Sequence, residues 1–267
     1  MKDVKKLFQL FVFCITCTSA FGAAIEDNSF LLEEAYNQEE GVIQFIQSLQ
    51  QSKNGDGKSL LYTFTNEWPV YGQTHQFSYT VPYSKIDNGD ISGLGDILLN
   101  YRNQIINSEI VALAPRISLV LPTGSRAKGL GSDALGVQFN MPLSVVLSPK
   151  WVTHWNAGFT LIPKAKGASG IKERSTFSPS FGNSFIYLLS DTFNLMLESI
   201  FNSNEVSNGD GTKERSETIY ISPGFRYAIN FTNTQVVLGA STPIGVGPSE
   251  QDDYSVLTYL SIEPKLW

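Results

Sequence analysis

Apolar and polar residues alternate along most of this chain, in segments of about ten residues divided by turn-forming residues. Twelve segments can be read, with cores at 42–50, 59–67, 74–84, 93–104, 110–121, 134–147, 151–162, 175–189, 192–202, 217–228, 234–242 and 253–263. A period of two predicts β-strands, because successive side chains of a strand point to opposite faces. In 134–147, Leu135, Val137, Phe139, Met141, Leu143 and Val145 share one face, opposite Gly136, Gln138, Asn140 and Ser144. In 151–162, Trp155, Ala157, Phe159 and Leu161 oppose His154, Asn156, Gly158 and Thr160. In 217–228, Ile219, Ile221, Phe225 and Tyr227 oppose Thr218, Tyr220, Ser222, Gly224 and Arg226.

The character of the polar face decides the medium. A sandwich in water also alternates, since one face meets a core, but its solvent face carries Lys and Glu. Here that face is mostly Gly, Ser, Thr, Asn and Gln, which suits a crowded wet lumen with the apolar face turned to lipid. Segment length agrees, because a tilted transmembrane strand needs about 9–11 residues. Closure satisfies every backbone N–H and C=O, which lipid cannot do. The expected fold is therefore all-β, a closed antiparallel transmembrane β-barrel of about twelve strands. Connections after even-numbered segments are short (148–150, 190–191, 230–233), and those after later odd-numbered segments are long (122–133, 163–174, 203–216, 243–252). Outer-membrane barrels have short periplasmic turns, so both termini are expected in the periplasm. Pro82, Pro115, Pro142, Pro179 and Pro223 fall inside segments. Each lacks a ladder donor, so bulges are expected at them.

The N-terminus differs from the rest. Lys2, Lys5 and Lys6 precede an apolar run, 7–15, followed by the small residues Ser19, Ala20, Gly22, Ala23 and Ala24. This is the pattern of a secretory signal peptide, residues 1–22, cut within 20–24. The run is too short for a spanning helix. Cys14 and Cys17 lie within it, so their spacing marks neither a redox nor a zinc site, and the remaining sequence has no cysteine. Removing Lys2, Lys5, Lys6 and Asp3 leaves 16 basic against 24 acidic side chains, a net charge of −8. Such a chain lacks the basic footprint of a nucleic-acid binder. Residues 23–41 form an acidic periplasmic lead-in to a barrel at 42–267. Glu33, Glu34, Glu39 and Glu40 keep it wet, with Phe30, Leu31, Leu32, Ala35 and Tyr36 interspersed. A plug or a docking peptide is the alternative; a segment lying beside the first strand is preferred.

Candidate chemistry is sparse. Asn54-Gly55-Asp56-Gly57-Lys58-Ser59 lacks the first glycine and the strand-loop-helix setting of a phosphate loop, and reads as a turn. His75 and His154 are the only histidines, too few for zinc, and no cofactor or metal is expected. His154 with Asn156 gives a membrane hydrolase its only opening, and no activated serine can be named. Residues expected to line a pore are Asp96, Asn100, Arg102, Arg116, Ser118, Gln138, Asn140, His154, Asn156, Glu198 and Arg226. A turn centred near residue 106 would place Asp96 opposite Arg116 as a paired constriction, with Arg102 and Arg226 adding cationic character.

Several stretches carry a resemblance. They are Asn28-Ser29-Phe30-Leu31-Leu32-Glu33-Glu34-Ala35-Tyr36, Gly93-Leu94-Gly95-Asp96-Ile97, Ala114-Pro115-Arg116-Ile117-Ser118, Leu121-Pro122-Thr123-Gly124, and Gly129-Leu130-Gly131-Ser132 with Leu135-Gly136-Val137-Gln138. Together they resemble the bacterial outer-membrane β-barrel family labelled "putative MetA-pathway of phenol degradation". The resemblance implies a Gram-negative outer-membrane protein that passes small aromatic or hydrophobic molecules. Expected partners are outer-membrane lipid, small-molecule solutes and, during insertion, the barrel-assembly machinery. A passive channel is the leading reading. A non-conducting structural or interaction barrel, and then a hydrolase, are its rivals.

Overall fold

A strand that is apolar on one side and polar on the other finds a place for both sides when the sheet closes on itself in a membrane. The computed structural model describes residues 29–54, 57–86, 90–167, 172–208, 210–249 and 253–266. Residues 1–22, expected to be a signal peptide, and Trp267 lie outside them. The strands are β1 (Gln44–Asn54), β2 (Gly57–Val70), β3 (His75–Ile86), β4 (Ile91–Leu94), β5 (Ile97–Asn103), β6 (Ile106–Asn107), β7 (Val111–Leu113), β8 (Arg116–Leu121), β9 (Gly136–Ser148), β10 (Trp151–Lys166), β11 (Glu173–Ser190), β12 (Phe193–Ser207), β13 (Lys213–Asn230), β14 (Thr234–Ser241), β15 (Ile244–Val246) and β16 (Tyr254–Pro264).

Antiparallel neighbours run in chain order around the sheet, and β1 pairs with β16 to seal it. β4 continues into β5 across Gly95 and Asp96, β7 into β8 across Ala114 and Pro115, and β14 into β15 across Thr242 and Pro243. The wall is thus a closed antiparallel barrel of twelve staves, one for each alternating segment. Large apolar side chains such as Leu119, Leu135, Phe181, Leu197, Ile221 and Phe225 are exposed on the outside. Trp151 stacks near Tyr187 at 4.9 Å, and Phe77 near Tyr101 at 5.2 Å, close to the short turns.

Two expectations change. Strands on the long-loop side run further than the pattern suggested, so 163–174 and 203–216 shrink to connections at 167–172 and 208–212. The short side keeps its tight turns, 149–150, 191–192 and 231–233. Of the five prolines at which bulges are expected, two stand beside one: Val81 and Pro82 face three residues, 95–97, and Ala114 and Pro115 face three, 103–105, while Pro142, Pro179 and Pro223 have none. Toward their other neighbour, Pro82, Pro142, Pro179 and Pro223 stand in continuous register opposite Thr63, Asn156, Phe159 and Leu197. Other register shifts fall at Trp151/Val152, Ile162/Ala165 and Leu188/Ser190.

The prolines are accommodated by the neighbouring strand. Pro82 faces the β4–β5 interruption, where Gly95 N–H donates to its carbonyl at 2.9 Å. The Gly95 carbonyl that a non-proline N–H would have met accepts the Thr123 hydroxyl instead, also at 2.9 Å. Pro142 faces the β7–β8 interruption and Pro223 the β14–β15 interruption, each accepting one N–H there, from Ala114 at 3.2 Å and Thr242 at 3.0 Å. Pro115 sits inside an interruption, and Pro179 lies just past the last β11–β12 pair, Ser180 with Asn202. A missing donor costs little where the ladder is already broken.

Candidate functional site

Inside the wall, the half nearest the short turns is less polar than the sequence pattern suggests. Ile46, Val237, Leu257 and Tyr259 form one buried cluster, and Val152, Ile186, Leu188 and Met196 another. Apolar surface facing a wet lumen is unfavourable, and the chain covers it with its own N-terminus. Residues 29–41, expected to lie beside the first strand, instead run through the interior. Phe30 packs on both clusters and Leu31 on the first. Ala35 and Tyr36 pack on Ala112 and Ala114. Glu39 and Glu40 are exposed as expected, whereas Glu34 is buried and Glu33 half-buried.

A strand alone in a lumen must find partners for its backbone, and wall side chains supply them. Leu31 N–H donates to Glu198 Oε1 at 2.9 Å, Glu33 N–H to Asn156 Oδ1 at 3.0 Å and Ala35 N–H to Ser144 Oγ at 2.8 Å. Asn37 N–H donates to Gln104 Oε1 at 3.3 Å, and Gln38 N–H to Gln76 Oε1 at 2.8 Å. Every second N–H from 31 to 37 is taken, as the two-residue period of an extended chain requires. The Glu33 carbonyl accepts Asn156 Nδ2 at 2.7 Å. Asn37 Nδ2 donates to the Gln73 and Thr74 carbonyls in the β2–β3 turn.

These contacts trace a loop. Asn37 and Gln38 sit level with the short turns, Leu32 and Glu33 reach furthest in, and Ser29 comes back to bond Ser184 at 3.1 Å. Wall glycines make room: a Cβ at Gly182 would meet Leu32 at 2.7 Å, and one at Gly224 or Gly239 would meet Phe30 at 2.7 Å.

Three arginines hold this plug. Arg102 is buried and donates to Asn37 Oδ1 (2.9 Å), the Glu34 carbonyl (3.1 Å) and the Tyr36 carbonyl (2.6 Å), with Glu67 3.9 Å away. Arg116 forks onto the Glu33 carboxylate, with Nε 2.9 Å from Oε2 and Nη2 2.6 Å from Oε1. Its other donors reach Asn100 Oδ1 (3.1 Å), Gln138 Oε1 (2.9 Å) and the Ser118 hydroxyl. Arg226 lies 5.5 Å from the centres of both the Phe30 and the Tyr259 rings, a cation–π arrangement. Burial pushes the Glu33 carboxyl up. The Arg116 charge and fork, helped by Arg102 and Asn140, outweigh it and hold the group below the usual carboxylate range.

The candidate residues now have places. Asn100, Arg102, Arg116, Ser118, Gln138, Asn140, His154, Asn156, Glu198 and Arg226 all sit on the inner face of the wall, and several grip the plug. Asp96 does not pair with Arg116. Arg102 stands opposite Arg116, so the turn centres near residue 109 rather than 106, because β6 and β7 insert a small hairpin before β8. Asp96 instead braces the 122–135 connection, accepting Gly124 N–H (2.9 Å), Ser132 N–H (2.9 Å) and the Ser132 hydroxyl (2.8 Å). A Cβ at Gly131 would come within 2.5 Å of Asp96 Oδ1, which explains the small residue there.

His154 is fully buried, its Nδ1 2.7 Å from Ser144 Oγ, beneath Ala35 of the plug. Asn156 is occupied by the Glu33 backbone and Asn140, and so does not orient the imidazole. Missing from the sequence reading were Glu33, Gln38, Gln44, Glu67, Gln76 and Gln104. The apolar residues of 30–36 were the available signal, since a wet tether has no use for them.

A family model described as "Putative MetA-pathway of phenol degradation" matches residues 22–249. No curated protein matches the sequence. Among solved structures, the fold is similar to the COG4313 outer membrane channel from Pseudomonas putida F1, with a TM-score of 0.63 and 14% identity over 86% of this chain and 97% of that one. Looser likenesses are to the KdgM porin (TM-score 0.48, 9% identity, 82% and 97% of the two chains) and the CymD monoaromatic hydrocarbon channel (TM-score 0.45, 12%, 85% and 89%). The first likeness establishes the architecture; the other two align too loosely to add to it.

Proposed function

The chain belongs to the family described as "Putative MetA-pathway of phenol degradation", and on that premise we propose that it is a passive outer-membrane channel for small molecules, closed at its short-turn end by residues 29–41. The observation that carries this reading is how the plug is held. It is gripped by single side chains reaching from the wall, not by a strand ladder, so it can leave without opening the barrel. The polar inner face beyond it (Thr65, Thr80, Gln138, Thr160) offers hydrogen bonds to a passing solute. The family label favours small aromatic solutes. Lipid meets the outward apolar belt, and the barrel-assembly machinery inserts the chain.

Planar-bilayer conductance of the full chain, beside a variant lacking residues 29–38, tests this. Low conductance in the parent and a stable open pore in the deletion are expected. A folded deletion variant that does not conduct would overturn the channel and leave the non-conducting barrel. That second reading has one observation in its favour, the filled short-turn half of the lumen.

For orientation, both termini are proposed to face the periplasm. The short turns, the plug and the Val42–Lys265 bridge share one end. Outside residues 1–22 the sequence has no cysteine, so single cysteines report cleanly. Cysteine at Asp210 should label on intact cells and cysteine at Pro149 should not; the opposite result reverses the topology.

A further inference from the structure

The plug apex does more than fill space. Beside Glu33 and Arg116, on the long-loop side of the apex, lies a cavity of about 170 Å³. Leu31, Leu32 and Ile200 give it apolar surface, and Gln138, Asn140 and Asn156 give it amides. A cavity of about 150 Å³ has room for a benzene ring. The charged end of the cavity is already arranged. Arg116 keeps Nη1 on Asn100 and Nη2 on Gln138, which fixes the guanidinium plane whether or not Glu33 is present. The Nε/Nη2 edge is the one turned to the plug, and Glu33 covers it in the two-bond geometry that any carboxylate adopts. Glu33 belongs to the movable segment and Arg116 to the wall, so one carboxylate can replace the other while the barrel stays intact.

We propose that Arg116 and the adjoining cavity bind a small monocyclic carboxylate, and that Glu33 occupies the charged end of that site while the plug is docked. The ring takes the wall side of the cavity, against Ile200 and the amides of Gln138, Asn140 and Asn156, which stay in place when Leu31 and Leu32 move with the plug. The ligand carboxylate takes the Arg116 fork, and Glu33 swings into water. Binding and docking then compete for one guanidinium, so ligand loosens the apex and a docked apex lowers apparent affinity. The binding event needs no pore; only its consequence, opening, rests on the channel reading above.

Benzoate is the probe, with acetate (the charge without the ring) and benzyl alcohol (the ring without the charge) as controls. Binding to the full-length folded protein is measured by titration calorimetry, and plug release by hydrogen exchange of residues 29–35. Benzoate should bind and speed exchange there, and neither control should match it. In Glu33→Gln the half-saturating benzoate concentration should fall about fivefold, because a neutral amide competes less well for a guanidinium. In Arg116→Lys, which keeps the charge and loses the fork, it should rise about tenfold. Equal affinity in parent and Glu33→Gln, or equal binding of benzyl alcohol, overturns the proposal. Benzoate binding with these shifts but no conductance would retain the site and sink the channel; conductance without benzoate binding would do the reverse.

Discussion

Arg102 and Arg116 face each other across β5 and β8, and both hold the plug, yet they hold it in different ways. Arg102 is buried and grips neutral acceptors, two backbone carbonyls and an amide oxygen. Arg116 is partly exposed and grips a carboxylate. Neutral acceptors do not titrate and are displaced only if the segment leaves. A carboxylate titrates, and another carboxylate can replace it. The residue type is the same; the acceptor makes one arginine an anchor at the root of the plug and the other a clasp at its apex.

The sharpest break in this comparison comes from Arg102→Ala. It strands the Glu34 and Tyr36 carbonyls and Asn37 Oδ1, and leaves Glu67 without its nearby charge. Removing one side of such a buried network costs about 3–5 kcal/mol. Hydrogen exchange should quicken across the whole of 29–41, and conductance should approach that of the deletion variant. Protection left intact over 36–41 would show that Arg102 is not the anchor.

Glu33→Gln is the milder cut. It keeps shape and loses charge at a partly exposed pair, worth about 1 kcal/mol after screening. Exchange over 29–35 should quicken by about fivefold, with 36–41 unchanged. An equal effect on both limbs would erase the distinction between clasp and anchor.

Acid should separate the two without mutation. Glu33 has its carboxyl lowered in the docked state. Its contribution is therefore complete above the ordinary value of 4.5 and is lost as pH falls through the lowered docked value. Exchange over 29–35, once corrected for intrinsic rates, should quicken as pH falls below 4.5, and Glu33→Gln should lack that step. A step that survives in Glu33→Gln assigns the titration to another group.

How much of this could be read beforehand depended on whether a regular repeat carried it. The staves could be, because each repeats the two-residue period long enough to be unmistakable: Gln138, Asn140 and Ser144 stay on one face across Pro142, since that proline faces a gap and not a ladder. The Asp96–Arg116 pairing could not be. It assumed one simple turn, and the small β6–β7 hairpin moves the register by six residues in sum, placing Arg102 where Asp96 was expected. The plug could not be read either. Its partners, Gln76, Ser144, Asn156 and Glu198 on four different strands and Gln104 just past β5, are single residues with no pattern linking them. Its acidic composition pointed to water, while Glu33 and Glu34 were bound for the interior.

The way the plug is held also fixes an order in time. The segment precedes β1 in the chain, yet its partners lie far downstream: Asn156 is 123 residues from Glu33, and Glu198 is 167 residues from Leu31. None of these groups faces a common space until the wall has curved around and β1 has met β16. The first part of the barrel chain is thus the last to settle, and until then Phe30, Leu31 and Tyr36 have no cover. A protease that cuts within 29–41 only before docking would act as a clock, and the fraction left whole would measure how quickly the wall closes.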